Sequence, residues 1–211
     1  VSSYLLLSFA TGLITTIILL AVIFWGLRLS LHIGIRNSKK SEDFRYKQWR
    51  DEWGKSIYWR SFLQVYCLQM LILLVISSSL IVSATQGNKS ALGAYQIVFL
   101  FLWLVGFLWE AIADYQLSVF KKSNKGKVLT SGLWQYSRHP NYFGELLMWW
   151  SIFFLVLPLE FGLYTIISPL LLTFLLFKVS GVPMLEEKYK ENVAYREYIK
   201  NTPAIIPFFK F

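Results

Sequence analysis

Long apolar runs dominate the pattern of hydrophobic and polar positions. They extend from Tyr4 to Leu31, Phe62 to Ala84, Ala91 to Ala113, Tyr142 to Leu157 and Leu163 to Val179. Crossing a hydrocarbon core takes about 20 helical residues, and the first three runs reach that length. The last two are shorter and are split by Pro158-Leu159-Glu160-Phe161-Gly162. They predict a tight helical hairpin, its second arm bent at Pro169. The fold class expected is therefore all-α, a polytopic transmembrane protein of about five spans. No linker or repeat divides the chain, so residues 1–211 read as one membrane domain. The chain begins at Val1, without a basic n-region or small-residue cleavage pattern, so no signal peptide is read. A further helix upstream of Val1 is compatible with this start.

Composition sharpens the class. Of the 211 residues, 55% are hydrophobic, 18% aromatic and only 16% charged, against about 25% charged in soluble domains. That excludes an ordinary soluble domain and a disordered chain. A lone Cys67 and two histidines leave no basis for a disulfide scaffold or a metal centre. The net charge of +9 fits either a nucleic-acid face or the loop bias of a membrane protein, and position decides. Of the 21 basic residues, 19 fall in 36–60, 121–141 and 178–211, while 158–162 has none. These are alternate connections, so the positive-inside rule assigns them to the cytoplasm. The partner expected is a lipid bilayer, with no nucleic acid and no metal.

Polar groups within the spans are costly and mark sites. Arg28, His32 and Arg36 recur every four residues, on one helix face. Snorkelling to headgroups suits Arg36; Arg28 lies deeper and calls for a partner. Glu110 and Asp114, also four apart, repel unless a cation or ligand lies between them; Arg28 and Lys121 are candidates. Glu145 follows Arg138-His139-Pro140-Asn141-Tyr142. That loop-to-helix entry suits a helix start with Pro in its first turn. It suits a phosphate or carboxylate seat equally. No GxGxxG, Walker A, HExxH or GxSxG motif occurs.

Three stretches carry a resemblance: Trp109-Glu110-Ala111-Ile112-Ala113-Asp114-Tyr115-Gln116-Leu117, Asn124-Lys125-Gly126-Lys127, and Gly132-Leu133-Trp134-Gln135-Tyr136-Ser137-Arg138-His139-Pro140-Asn141-Tyr142-Phe143-Gly144-Glu145. Glu42-Asp43-Phe44-Arg45-Tyr46, Trp59-Arg60-Ser61-Phe62, Gly181-Val182-Pro183, Glu186-Glu187 and Tyr195-Arg196-Glu197-Tyr198 support it. Nearly the whole chain resembles the bacterial DUF1295 family of the steroid 5-alpha-reductase superfamily, which implies an inner-membrane location. That superfamily holds NADPH-dependent reductases of C=C bonds in lipids. It also holds isoprenylcysteine carboxyl methyltransferases, which use S-adenosylmethionine.

By resemblance, Asp114 and Asn141 match cofactor-holding positions, and Glu145 matches a glutamate four residues on. Arg138, His139 and Tyr142 match the sterol-reductase form of that element. Lys121 falls near the expected phosphates, joined by Lys125 or Lys127, and Glu186 and Tyr198 match tail positions that close the pocket. Trp25 stands where the animal steroid reductases carry a tyrosine; an indole donates a hydrogen bond but delivers no proton. The Glu that accompanies that tyrosine would lie upstream of Val1. The function implied is NADPH-dependent reduction of a C=C bond in a hydrophobic, lipid or steroid-like small molecule, with the cofactor on the cytoplasmic side. His32 and Tyr66 are the candidate proton donors. The alternatives are methyl transfer from S-adenosylmethionine, with Glu186 or Glu145 near its ammonium group, and a non-catalytic lipid-binding protein.

Overall fold

In the computed structural model of the protein, residues 12–38, 50–86, 92–124 and 126–209 are described. They form an all-helical bundle, with no strand among them. Helix α1 is Leu13–Asn37. Helix α2 is Arg50–Ile76, and α3 is Ser78–Gln86. Helix α4, Ala94–Ser123, is followed by a 3-10 turn at Gly132–Gln135 and by α5, Pro140–Val156. Another 3-10 turn, Gly162–Ile166, leads into α6, Ile167–Phe174. Helices α7, Val182–Tyr189, and α8, Val193–Asn201, close the chain.

Four stretches are long and apolar enough to cross a membrane: Leu13–Asn37, Arg50–Ile76, Ala94–Ser123 and Gly162–Glu187. The expected fourth span, 142–157, is the 17-residue α5. It is the most enclosed helix, burying Leu146, Met148, Trp149, Ile152, Phe153, Leu155 and Val156 among others. A helix wrapped by its neighbours is apolar all round for the same reason as one wrapped by lipid. Composition alone does not separate the two.

The α4–α5 contact sets the rest of the bundle. A Cβ on Gly106 would lie 2.7 Å from the Gly144 carbonyl oxygen, and one on Gly144 would lie 2.5 Å from that of Gly106. The two backbones therefore touch, as small residues allow in membrane bundles. Trp103, Phe107, Met148, Trp149 and Ile152 belong to the buried cluster around this contact.

Other boundaries differ from the hydropathy pattern for identifiable reasons. The run 62–84 is two helices, because the chain turns at Ser77, between Ile76 and Ser78. Ser168 Oγ donates to the Ile76 carbonyl at 2.6 Å and so satisfies an acceptor near that turn. Thr15 Oγ1 ties α1 to α3 through the Ser83 carbonyl at 2.9 Å. The third helix runs to Ser123, which places Asp114 inside it and Lys121 in its last turn. Pro169 sits in the first turn of α6, where the missing N–H has no intrahelical acceptor to serve. The expected hairpin is present: Leu159 N donates to Val156 O and Gly162 N to Leu159 O, both at 2.9 Å. A Cβ on Gly162 would stand 2.1 Å from the Val156 carbonyl oxygen, so only glycine fits.

Gly144→Ala is expected to force α4 and α5 apart. Overpacking at such a site costs about 1–3 kcal/mol, read as a lower thermal unfolding midpoint in detergent. Gly26→Ala is the control. Nothing lies within 4 Å of its added Cβ, and replacing a helical glycine there should stabilise by up to about 1 kcal/mol.

A carboxylate cluster inside the bundle

Arg28 enters from α1 and meets the i, i+4 pair of α4. Its Nη1 donates to Asp114 Oδ2 at 2.9 Å, and its Nη2 pairs with Glu110 Oε1. Trp25, one turn earlier, donates its indole N–H to Glu110 Oε2 at 2.9 Å. Asn141 Nδ2 lies 3.4 Å from Asp114 Oδ1. Glu110 is only 3% exposed and Asp114 7%. The Arg28 guanidinium also lies 5.7 Å from the centre of the Phe107 ring, within cation–π range. Trp25 packs edge-on against Trp149 at 5.7 Å.

The Gly106–Gly144 contact adds a third carboxylate. A Cβ on Gly144 would come within 2.9 Å of Glu110 Cβ, and Glu145 is the next residue. Glu145 lies within Coulombic range of Glu110, Asp114 and Arg28. Its carboxylate takes no hydrogen bond or ion pair among the described residues. It stands in the second turn of α5. The cluster thus holds three acids and one guanidinium.

The remaining predicted residues build a separate lock beneath the cluster. Arg138 Nη1 donates to the carbonyls of Ile199 and Thr202, each at 3.0 Å. Those carbonyls end α8, where a cation is also favoured by the dipole. Arg138 Nη2 pairs with Glu186 Oε1 at 2.7 Å. Arg138 N and His139 N donate to the Pro203 and Ala204 carbonyls, at 2.9 and 3.0 Å. Ser137 Oγ donates to Ile205 O at 2.7 Å. The Tyr198 hydroxyl is directed at the Trp134 and Ser137 carbonyls. Burial pushes that phenol well above its ordinary range, with Tyr195 adding to the rise, so it stays a donor. Trp134 in turn donates to Ala113 O at 3.1 Å, one residue before Asp114. The lock therefore holds the loop, the tail and the carboxylate helix together.

Arg138, expected at cofactor phosphates, is engaged in this lock through Nη1 and Nη2, while its buried Nε has no acceptor among the described residues. Glu186 binds Arg138, and Tyr198 binds the carbonyls of Trp134 and Ser137, so both tail residues are tied to the loop. His139 stacks on Tyr142 with ring centres 5.2 Å apart. Its Nε2 is 3.7 Å from Glu186 Oε1, beyond hydrogen-bonding distance. His32 is half-buried on α1, four residues from Arg28. Tyr66 is 67% exposed on α2, and no contact joins it to the carboxylates. Lys121, Lys122 and Lys127 are exposed. Lys125, the 42–46 motif and residues 4–11 lie outside the described residues. Two surface cavities lie away from the acids. One, of about 520 Å³, is lined by Trp53, Leu63, Gln64, Val65 and Leu68. The other, of about 310 Å³, is lined by Thr130, Gln135, Glu197, Tyr198 and Asn201 among others.

Trp25 completes the cluster, and Arg28 meets Glu110 and Asp114 in a pairing that the sequence offered. The signal was present in the spacing. Trp25 and Arg28 are three apart and Glu110 and Asp114 four apart, so each pair shares a helix face.

Two outcomes follow. Arg28→Met should strand two buried carboxylates and cost about 3–5 kcal/mol; the Arg28→Met, Glu110→Gln, Asp114→Asn triple variant should recover much of the lost thermal stability. Burial holds His139 below its usual value of 6.5, outweighing Glu186, which pushes it up. The folded state thus favours the neutral ring, and the unfolded chain takes the proton first as pH falls. Stability contributed by this site is complete above about pH 6.5 and declines below it. His139→Gln should flatten that decline in unfolding midpoints compared between pH 5.5 and 7.5.

Among curated proteins, "Uncharacterized protein C594.04c" of Schizosaccharomyces pombe is 26% identical over 152 residues. The match covers 61% of this chain and 44% of the yeast protein, so the chain spans less than half of that relative. No solved structure matches. The family model described as "Protein of unknown function (DUF1295)" matches residues 1–202, and the chain belongs to the DUF1295 family.

Proposed function

We propose that the protein is a membrane-embedded reductase that uses NADPH to saturate a C=C bond in a hydrophobic, lipid or steroid-like molecule. The observation that carries this reading is the charge of the cluster: two carboxylates, Glu110 and Asp114, share the one guanidinium of Arg28, with a third acid, Glu145, within Coulombic range. An acidic, water-poor site stabilises positive charge developing on a bound ring. Reduced nicotinamide, when bound, supplies a hydride and is left as a cationic ring.

The donor set fits such a group. Asn141 offers both an amide donor and an acceptor for a carboxamide. Asp114, already fixed by Arg28, accepts from hydroxyl or amide groups. The buried Trp109 Nε1 and Arg28 Nε have no hydrogen-bond acceptor among the described residues, so donors remain for a ligand. The exposed Lys121, Lys122 and Lys127 at the end of α4 and in the following loop suit phosphates as point charges. By the positive-inside rule the basic connections 36–60 and 121–141 and the tail would face the cytoplasm, where NADPH would be available. The apolar faces of α1 and α2, including Leu27, Leu31, Phe62 and Leu63, would let a lipid-soluble substrate approach from the bilayer. The chain's part in catalysis is then to bind, orient and exclude water.

The same excess of negative charge favours a second cationic ligand, S-adenosylmethionine, whose sulfonium and ammonium groups would meet the carboxylates. Thermal unfolding in mild detergent separates the readings. NADPH at about 100 times its Kd should stabilise the protein by about 2.7 kcal/mol. Asn141→Ala should abolish that shift while leaving the unliganded midpoint near its original value. A shift with S-adenosylmethionine alone would overturn the reductase reading in favour of methyl transfer, and silence from both would favour a non-catalytic protein.

A further inference from the structure

Beyond the lock, the tail turns two aromatic rings outward. Ile205 is 1% exposed and Pro207 is buried, whereas Phe208 is 76% exposed and Phe209 62%. The backbone leading to them is held firmly. Arg138 N and His139 N donate to the Pro203 and Ala204 carbonyls, and Ser137 Oγ donates to Ile205 O. Phe209 N donates to Ile206 O at 3.4 Å, which closes a turn. The Phe208 ring lies against Tyr136, with ring centres 5.1 Å apart. Phe208 itself has a φ of 67°, the only positive φ outside glycine among the described residues. Bulky side chains avoid that region, and a chain keeps one there only where its surroundings impose it. The strain here presents an apolar ring to the outside.

The depth of this tip follows from what the loop touches. Trp134 donates to Ala113 O at 3.1 Å, and Leu133 N donates to Gln116 Oε1 at 3.0 Å. The loop thus folds back along α4, to a level between five and eight residues short of Lys121. At 1.5 Å per residue that is about 8–12 Å. The headgroup layer on each side of a hydrocarbon core is about 5–8 Å thick. With Lys121 and Lys122 among the headgroups, the loop reaches the inner edge of that layer. Helix α4 agrees, because Ile112 and Val119, each 47% exposed, turn apolar side chains outward on either side of this level. The tail is stitched to the same loop and shares its depth.

Charge points the same way. On the end of α4, the loop and α8, the exposed cations among the described residues are Lys121, Lys122, Lys127, Arg196 and Lys200, and the exposed acid is Glu197. Such a set suits the anionic headgroups of a membrane surface.

We propose that Phe208 and Phe209 are an interfacial anchor, inserted into the leaflet at the basic end of the spans. Their rings lie at the boundary of headgroups and acyl chains, where burial removes apolar area from water. The partner is the lipid surface itself. Anchoring holds residues 203–205 against 137–139, so lipid contact helps to keep the Arg138 lock shut. The anchor is separate from the carboxylate cluster and needs no ligand there.

Spin labels measure this depth on the full chain, in nanodiscs of phosphatidylcholine and phosphatidylglycerol. Cys67 is the free cysteine of the chain, so a Cys67→Ser background receives Phe208→Cys, Phe209→Cys or Arg196→Cys, one at a time. Labels at 208 and 209 should be more accessible to oxygen than to a water-soluble nickel chelate, at a depth of about 5–10 Å. The label at 196, on the exposed face of α8, should show the reverse. Chelate access dominating at 208 and 209 as well would place the tip in water and overturn the anchor. Loss of access to both reagents, with spin–spin broadening, would show a second copy covering the tip and overturn it equally. Thermal midpoints of the labelled variants guard against misfolding. If Phe208→Cys does not fold, Phe209→Cys decides alone, since it keeps Phe208 and its contact with Tyr136.

Discussion

The backbone contact of Gly106 with Gly144 is the constraint on which the rest depends. Lipid gives two apolar helices no hydrophobic reason to associate, so close van der Waals packing has to supply it. Where the two glycines touch, Glu145 is carried beside Glu110, and the first turn of α5 is carried beside Asp114. The acidic site is thus a by-product of a steric fit. A larger residue at either glycine would disturb chemistry one helical turn away without touching a charged atom.

Charge is arranged in two tiers. The inner tier is held by Arg28, which divides its guanidinium between two acids and leaves a third to itself. The outer tier is held by Arg138, which divides its guanidinium among two helix-ending carbonyls and Glu186. Each arginine resolves a problem of buried polarity with planar, multidentate donation that lysine lacks. The tiers meet at Trp134, whose indole reaches the carbonyl next to Asp114. Rigidity at the surface is in this way transmitted to the intramembrane acids.

The helical class, the membrane setting and the polar positions within the spans were legible because each depends on local composition. The pairing of Arg28 with Glu110 and Asp114 was half legible. Spacing put each set on one face, but only packing could bring the two faces together. The role of Arg138 was not legible. A loop arginine beside a helix start looks the same whether it awaits a phosphate or caps another helix sixty residues away. The break at Ser77 was hidden because serine is tolerated inside membrane helices, and its repair comes from Ser168, far along the chain. The central position of α5 was hidden for a related reason: a buried helix and a lipid-facing helix have the same apolar content.

The lock around Arg138 also bears on the order in which the protein is made. The arginine, Ser137 and the His139 backbone leave the ribosome well before residues 198–205, which supply their acceptors. Until that late segment arrives, a guanidinium and several N–H groups at the base of the bundle must stay in water. The helices can therefore insert one by one, but the polar base cannot be sealed until residues 198–205 have been added. Synthesis of that segment and closure of the base are linked in time.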